Sequence, residues 1–286
     1  SFNPIGLIAG LFVAQQFVLK NLQSDDIIDF SALEEASKAL IRTTDLLVIR
    51  DPYVALGLFI TVVFVIFLVN KMPQSKADGD MPKIGETFAA LIKNANYTSG
   101  VLAQILYVGG QIMCWTYIYQ YAENLGIENQ KAVNYAYSAL VIFLLGRFLC
   151  AYLLKYMNSG RLLMSLSFMA IVCCLGTIFI EGMGGLYALV AISFCMSMMF
   201  PTIYGIALTG LGEDAKPASA FLVMAIVGGA FMPVLQGQIL DFGGSGYNDI
   251  EILGVPEVNF SFSLPLLCFI VVAAYGYRTL KVYKIG

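Results

Sequence analysis

Residues 52–70 read PYVALGLFITVVFVIFLVN, nineteen positions without a charged side chain. At roughly 1.5 Å per residue a helix of that length covers about 28 Å, close to the ~30 Å hydrocarbon thickness of a bilayer. A barrel strand alternates apolar and polar residues, and this run does not. Runs of the same kind occupy about 4–20, 98–121, 133–155, 161–180, 185–209, 217–240 and 260–280. Eight such runs predict an all-α chain of polytopic transmembrane helices.

Composition supports that reading. A soluble domain carries about 25% charged residues. This 286-residue chain carries 12%, with 59% hydrophobic side chains and a mean hydropathy of +0.79. So much apolar surface does not fit inside one water-soluble core. The net charge of −3 leaves no basic surplus for nucleic acid. Histidine is absent, which removes the commonest metal ligand and the usual partner of a catalytic nucleophile. No metal, cofactor or enzymatic activity is therefore expected. All six cysteines lie inside apolar runs and read as small buried hydrophobes.

Lysine and arginine set the orientation. Ten of them fall on one set of alternate connecting segments and five on the other, with Arg147 inside a span. Fourteen of the nineteen acidic residues fall on the poorer set. Both chain ends are then cytoplasmic, and the segment at about 21–51 is an extracellular loop. Within it, Ser31 followed by Glu34 matches a capping box for a short helix outside the bilayer. Pro52 and Pro217 fit the first turns of their helices, while Gly160 and Gly184-Gly185 fit the turns between helices. Asn96-Tyr97-Thr98 and Asn259-Phe260-Ser261 match the glycosylation pattern by chance. Ser1 is not an initiator methionine and an apolar run begins almost at once, so a longer parent chain is expected.

Polar side chains on a span are costly, so their positions are informative. Gln104, Tyr107, Val108, Gln111, Trp115 and Ile118 recur at three- and four-residue steps and share one helical face. Two amides, a tyrosine and the single tryptophan suit a sugar: amides match hydroxyls, and an indole face packs on the apolar C–H side of a pyranose. The alternative is that these residues join helices. Asn3, at the start of the first span, is a second candidate, with an interfacial cap as its alternative.

Phe200-Pro201-Thr202-Ile203-Tyr204 lies in the sixth span, where proline kinks a helix and frees a carbonyl. The seventh span carries Gly228, Gly229 and Pro233. Such interrupted helices line the pathway in transporters, and these two fit a moving element. Arg147 lies eight residues from Lys155, about 12 Å along the helix. It fits a cytoplasmic-side latch, snorkelling or pairing with Glu213 or Asp214. No span has Asp or Glu near its centre, where proton coupling usually places one.

Four patches together resemble the sugar permeases of the major facilitator superfamily, specifically the fucose permease family with its galactose/glucose relatives. They are Phe2-Asn3-Pro4-Ile5-Gly6, the run from Tyr107 to Trp115, Phe200-Pro201-Thr202-Ile203, and Leu211-Gly212-Glu213-Asp214 continuing through Ser219-Ala220-Phe221. The resemblance implies a major facilitator fold of twelve helices, with spans five to twelve present here. Residues 1–70 would be the last two spans of the first six-helix bundle, 71–97 the central cytoplasmic linker, and 98–286 the second bundle. Asn3 would contact sugar and Trp115 would line the cavity. The proton-carrying carboxylates would belong to spans one and four, outside this chain.

The implied activity is proton symport of a neutral monosaccharide, L-fucose or a related hexose, by alternating access. The setting would be a bacterial inner membrane, and the intact protein a monomer. The partners would be the sugar, the lipid bilayer and the missing N-terminal spans. A proton-independent facilitator and a sugar-sensing receptor are the alternatives. The 286-residue chain by itself is not expected to transport.

Overall fold

The computed structural model describes residues 3–19, 21, 35–70, 84–244 and 250–282. It contains two compact units, Ser1–Asp80 and Met81–Gly286. Most of the segment expected as a linker, 71–83, lies outside the described residues, as does the Ser31–Glu34 capping box.

In the first unit, α1 (Asn3–Val13) continues as a π-helical segment, Ala14–Leu19. Helix α2 (Glu35–Val69) is 35 residues long and contains Pro52 in its interior. Here the sequence reading is corrected, because Pro52 does not open the span. A proline omits one amide donor and crowds one carbonyl. The Ala, Leu, Lys and Arg content of residues 36–50 favours helix on its N-terminal side, so the helix runs on through it.

The second unit is a bundle of α3 (Ile84–Lys93), α4 (Ala95–Thr116), α5 (Ile118–Asn124), α6 (Asn129–Leu153), α7 (Ser159–Phe179), α8 (Met183–Met196), α9 (Met199–Leu208), α10 (Ala215–Met224), α11 (Gly228–Leu240), α12 (Glu257–Ser261) and α13 (Ser263–Val282). A two-residue antiparallel hairpin, Glu251–Ile252 with Val255–Pro256, precedes α12. Among the described residues, seven helical segments are long and apolar enough to cross a membrane, and a shorter apolar helix, Ile5–Val18, makes an eighth apolar element. The spans at 131–153, 159–179, 183–208 and 215–240 begin and end within two residues of the apolar runs. The third span is longer, 95–124, and breaks at Tyr117 between α4 and α5.

Helix α4 packs against α9, α11 and α13, α6 packs against α8, and α7 packs against α8 and α13. Small residues permit the closest approach, as membrane helices require. A Cβ on Gly109 would strike the Met232 side chain, and one on Gly228 would strike the Ile105 carbonyl, so α4 and α11 meet backbone against backbone.

Two glycine readings are corrected as well. Gly160 and Gly184-Gly185 lie inside the first turns of α7 and α8, where Gly160 faces Thr279, Gly184 faces Ile180 and Gly185 faces Tyr121. The turn before α8 is made by Gly182, whose φ of 68° disfavours a side chain. Asn259 of the second glycosylation match is buried. Its amide donates to Tyr121 Oη and to the Thr177 and Ile178 carbonyls at 3.2–3.3 Å, tying α5, α7 and α12 together.

Candidate functional site

The polar face of α4 looks onto α8 and α9. Asn94 caps α4 by accepting from the N–H groups of Asn96 and Tyr97, which fixes the start and hence the rotation of the helix. Tyr107 is fully buried and its hydroxyl donates to the Met196 carbonyl at 2.9 Å. Two turns on, the half-buried Trp115 donates from Nε1 to Ser193 Oγ at 3.1 Å. The edge of Phe143, from α6, meets the Trp115 indole at 5.1 Å with an interplanar angle of 82°.

Arg147, one turn along α6 from Phe143, lies over the Phe143 ring at 5.3 Å and donates from Nε to the Ser197 carbonyl at 3.2 Å. Among the described contacts, its partner is the backbone of the sixth span, where the sequence offered Glu213 or Asp214. Tyr107 also meets Phe200 at 6.3 Å, and Phe200 stacks on Tyr204 at 6.4 Å and 14°. One connected set of aromatic rings and hydrogen bonds therefore runs through α4, α6, α8 and α9.

Gln111 is half-exposed. By helical period it lies between Tyr107 and Trp115 on the same face of α4. Gln104, on the same face, is 0% exposed, and neither its Oε1 nor its Nε2 has a hydrogen-bond partner among the described residues. An enclosed amide without such partners is unusual in a packed helical interior.

Pro201 stands in the first turn of α9, and the break it accompanies falls at Ser197–Met198. Gly228 and Gly229 lie against Ile105, Val108 and Ile112 of α4, and the Pro233 carbonyl accepts from Tyr117 Oη at 2.6 Å, so the interruptions of the third and seventh spans touch. Asn3 is the first residue of α1; its side chain lies outside the described residues.

Four contributors escaped the reading of the sequence: Phe143, Ser193, Ser197 and the Met196 carbonyl. Two signals for them were present. Phe143 and Arg147 are four apart on one face, and so are Ser193 and Ser197.

Fold and site together define an integral membrane protein built as a helical bundle around a polar, aromatic-lined helix. No family model matches the chain. It is 48% identical over 290 residues to the L-fucose-proton symporter of Haemophilus influenzae, covering 99% of this chain and 66% of that protein. It is 30% identical to the L-fucose-proton symporter of Escherichia coli, covering 96% and 62%. A glucose/galactose transporter of Brucella abortus is 26% identical, covering 80% and 53%. Among solved structures, the major facilitator superfamily transporter FucP in its outward conformation superposes with a TM-score of 0.72 at 27% identity, over 97% of this chain and 66% of FucP. The chain belongs to the fucose permease family of the major facilitator superfamily. It spans slightly less than two thirds of the length of the symporters it matches.

Proposed function

We propose that this chain forms part of a secondary active transporter that moves a neutral monosaccharide, L-fucose or a related hexose, together with a proton. The observation that carries the reading is the α4 face. Gln111 and Trp115 present an amide and an indole beside each other, with no charge among them, and the ring is held by Ser193 and Phe143. A preorganised indole offers a flat apolar surface to a pyranose, and an amide both donates to and accepts from hydroxyls. The 48% identity to a protein named for fucose–proton symport supports the same substrate class.

In this reading Gln111, Trp115 and Tyr204 line the sugar site of the second bundle. Gln104 lies deeper along the path. Residues 1–70 belong to the first bundle, 71–97 form a cytoplasmic linker, and 98–286 form the second bundle. The protein resides in a bacterial inner membrane as a monomer, with both ends of this segment in the cytoplasm. It transports rather than catalyses, because a span-embedded reaction would want a nucleophile–base pair.

The test is sugar binding and uptake by the intact transporter carrying Gln111→Ala or Trp115→Ala. Each is expected to weaken sugar affinity tenfold or more while the protein still folds. Wild-type affinity in both would reject the site. A facilitator without proton coupling is the second reading, favoured by the lack of a mid-span carboxylate in this sequence. Sugar-induced alkalinisation of the medium supports symport, and its absence during uptake supports the facilitator.

A further inference from the structure

The break between α8 and α9 exposes two carbonyls, and two other helices satisfy them. In an uninterrupted helix the Ser197 carbonyl would accept from the N–H four residues on, but that residue is Pro201, which has none. Met198 has left helical geometry, with φ −117° and ψ 0°. The Ser197 carbonyl instead accepts from Arg147 Nε of α6 at 3.2 Å. One residue earlier, the Met196 carbonyl accepts from the Tyr107 hydroxyl of α4 at 2.9 Å. Tyr107 Oη thus supplies a donor to the carbonyl of the last residue of α8. In lipid, where water cannot reach a freed carbonyl, such replacements are what make a proline break tolerable.

The neighbouring backbone is shaped for this contact. A Cβ on Gly146, beside Arg147, would lie 2.9 Å from Ser197 Oγ and 3.0 Å from the Phe194 ring, so α6 reaches the break because position 146 has no side chain. On the near side of the break α8 holds Trp115 through Ser193. On the far side α9 carries Phe200 and Tyr204. The direction of α9 relative to α8 therefore sets where those two rings stand with respect to the indole.

We infer that Tyr107 and Arg147 are positioning residues: their donors hold the α8–α9 break open, and through it they place the Phe200–Tyr204 pair opposite Trp115. They act on the transport step through this hinge and not by touching sugar. The link to transport rests on the reading of the Trp115 face as the sugar site, whereas the hinge does not.

The experiment is amide hydrogen exchange by mass spectrometry on the purified chain in lipid nanodiscs, comparing Tyr107→Phe, Arg147→Met and Arg147→Lys with wild type. Tyr107→Phe keeps the ring and removes only the donating hydroxyl. Exchange within 197–204 is expected to rise at least tenfold in Tyr107→Phe and Arg147→Met, with α7 and α13 unchanged. Arg147→Lys, which retains a donor, should return it most of the way. Pro201→Ala restores an N–H for the Ser197 carbonyl, so it should suppress the effect of Arg147→Met even if Tyr107→Phe fails to fold. Unchanged exchange in Tyr107→Phe and Arg147→Met overturns the hinge.

In the intact transporter, Tyr107→Phe and Arg147→Met should lower turnover at least fivefold, and Arg147→Lys should return most of it. Altered exchange with wild-type turnover overturns the link to transport. Altered exchange and turnover, with normal affinity in Trp115→Ala, upholds the hinge and rejects the sugar site instead.

Discussion

Trp115 and Ser193 are joined across α4 and α8 by a hydrogen bond of 3.1 Å from the indole N–H to the serine hydroxyl. Ser193 is itself 1% exposed, so the accepting hydroxyl is buried while the indole is only partly so. Without it the indole would keep its packing on Phe143 but lose the contact that fixes its rotation. Ser193→Ala should weaken sugar binding about three- to tenfold, corresponding to roughly 0.6–1.4 kcal/mol, the size of one interhelical hydrogen bond in a membrane. Trp115 is the only tryptophan in the chain, so its fluorescence reports the change directly. An unaltered emission maximum in Ser193→Ala would contradict the bond.

Gln104 is a test of functional against structural polarity. Its amide is enclosed and unbonded among the described residues. Replacing it with leucine removes a desolvation penalty of about 1–3 kcal/mol, so Gln104→Leu should match or exceed wild type in thermal stability. Uptake should nevertheless fall. A clear loss of melting temperature in detergent would mean that the amide is a helix-joining group after all.

Asn259 anchors the opposite end of the bundle. Asn259→Leu leaves the Tyr121 hydroxyl and two carbonyls, Thr177 and Ile178, without a shared donor. The expected loss is about 2–4 kcal/mol, from several buried groups losing one partner at once. Thermal unfolding measures it. Sugar affinity in the folded fraction should stay within twofold, because none of these groups touches the Trp115 face.

Gly228 tests the contact of α4 with α11. A methyl at this position would collide with the Ile105 carbonyl, which belongs to a helix backbone and cannot rotate away. Gly228→Ala should destabilise by about 1–3 kcal/mol through overpacking. Gly205→Ala, at a glycine with nothing within 4 Å, is the matched control and should be stable. Equal melting temperatures for the two variants would show that α11 can shift freely.

The sequence by itself determined the class of fold and most of the span boundaries. Length and hydrophobicity suffice for that, because the bilayer imposes one thickness on every crossing helix. It also determined the polar face of α4, since Gln104, Tyr107, Gln111 and Trp115 align by helical period alone. Tertiary structure decided what each of those groups does. Tyr107 and Trp115 find acceptors on another helix 89 and 78 residues away in sequence, while the Gln104 amide finds none among the described residues. Pro52 shows the same division, for its type predicts a helix start, yet the helix continues around it. Local pattern specifies which side chains share a face, but hydrogen bonds between helices depend on the rotation and depth of both partners, and only close packing of the whole bundle sets those.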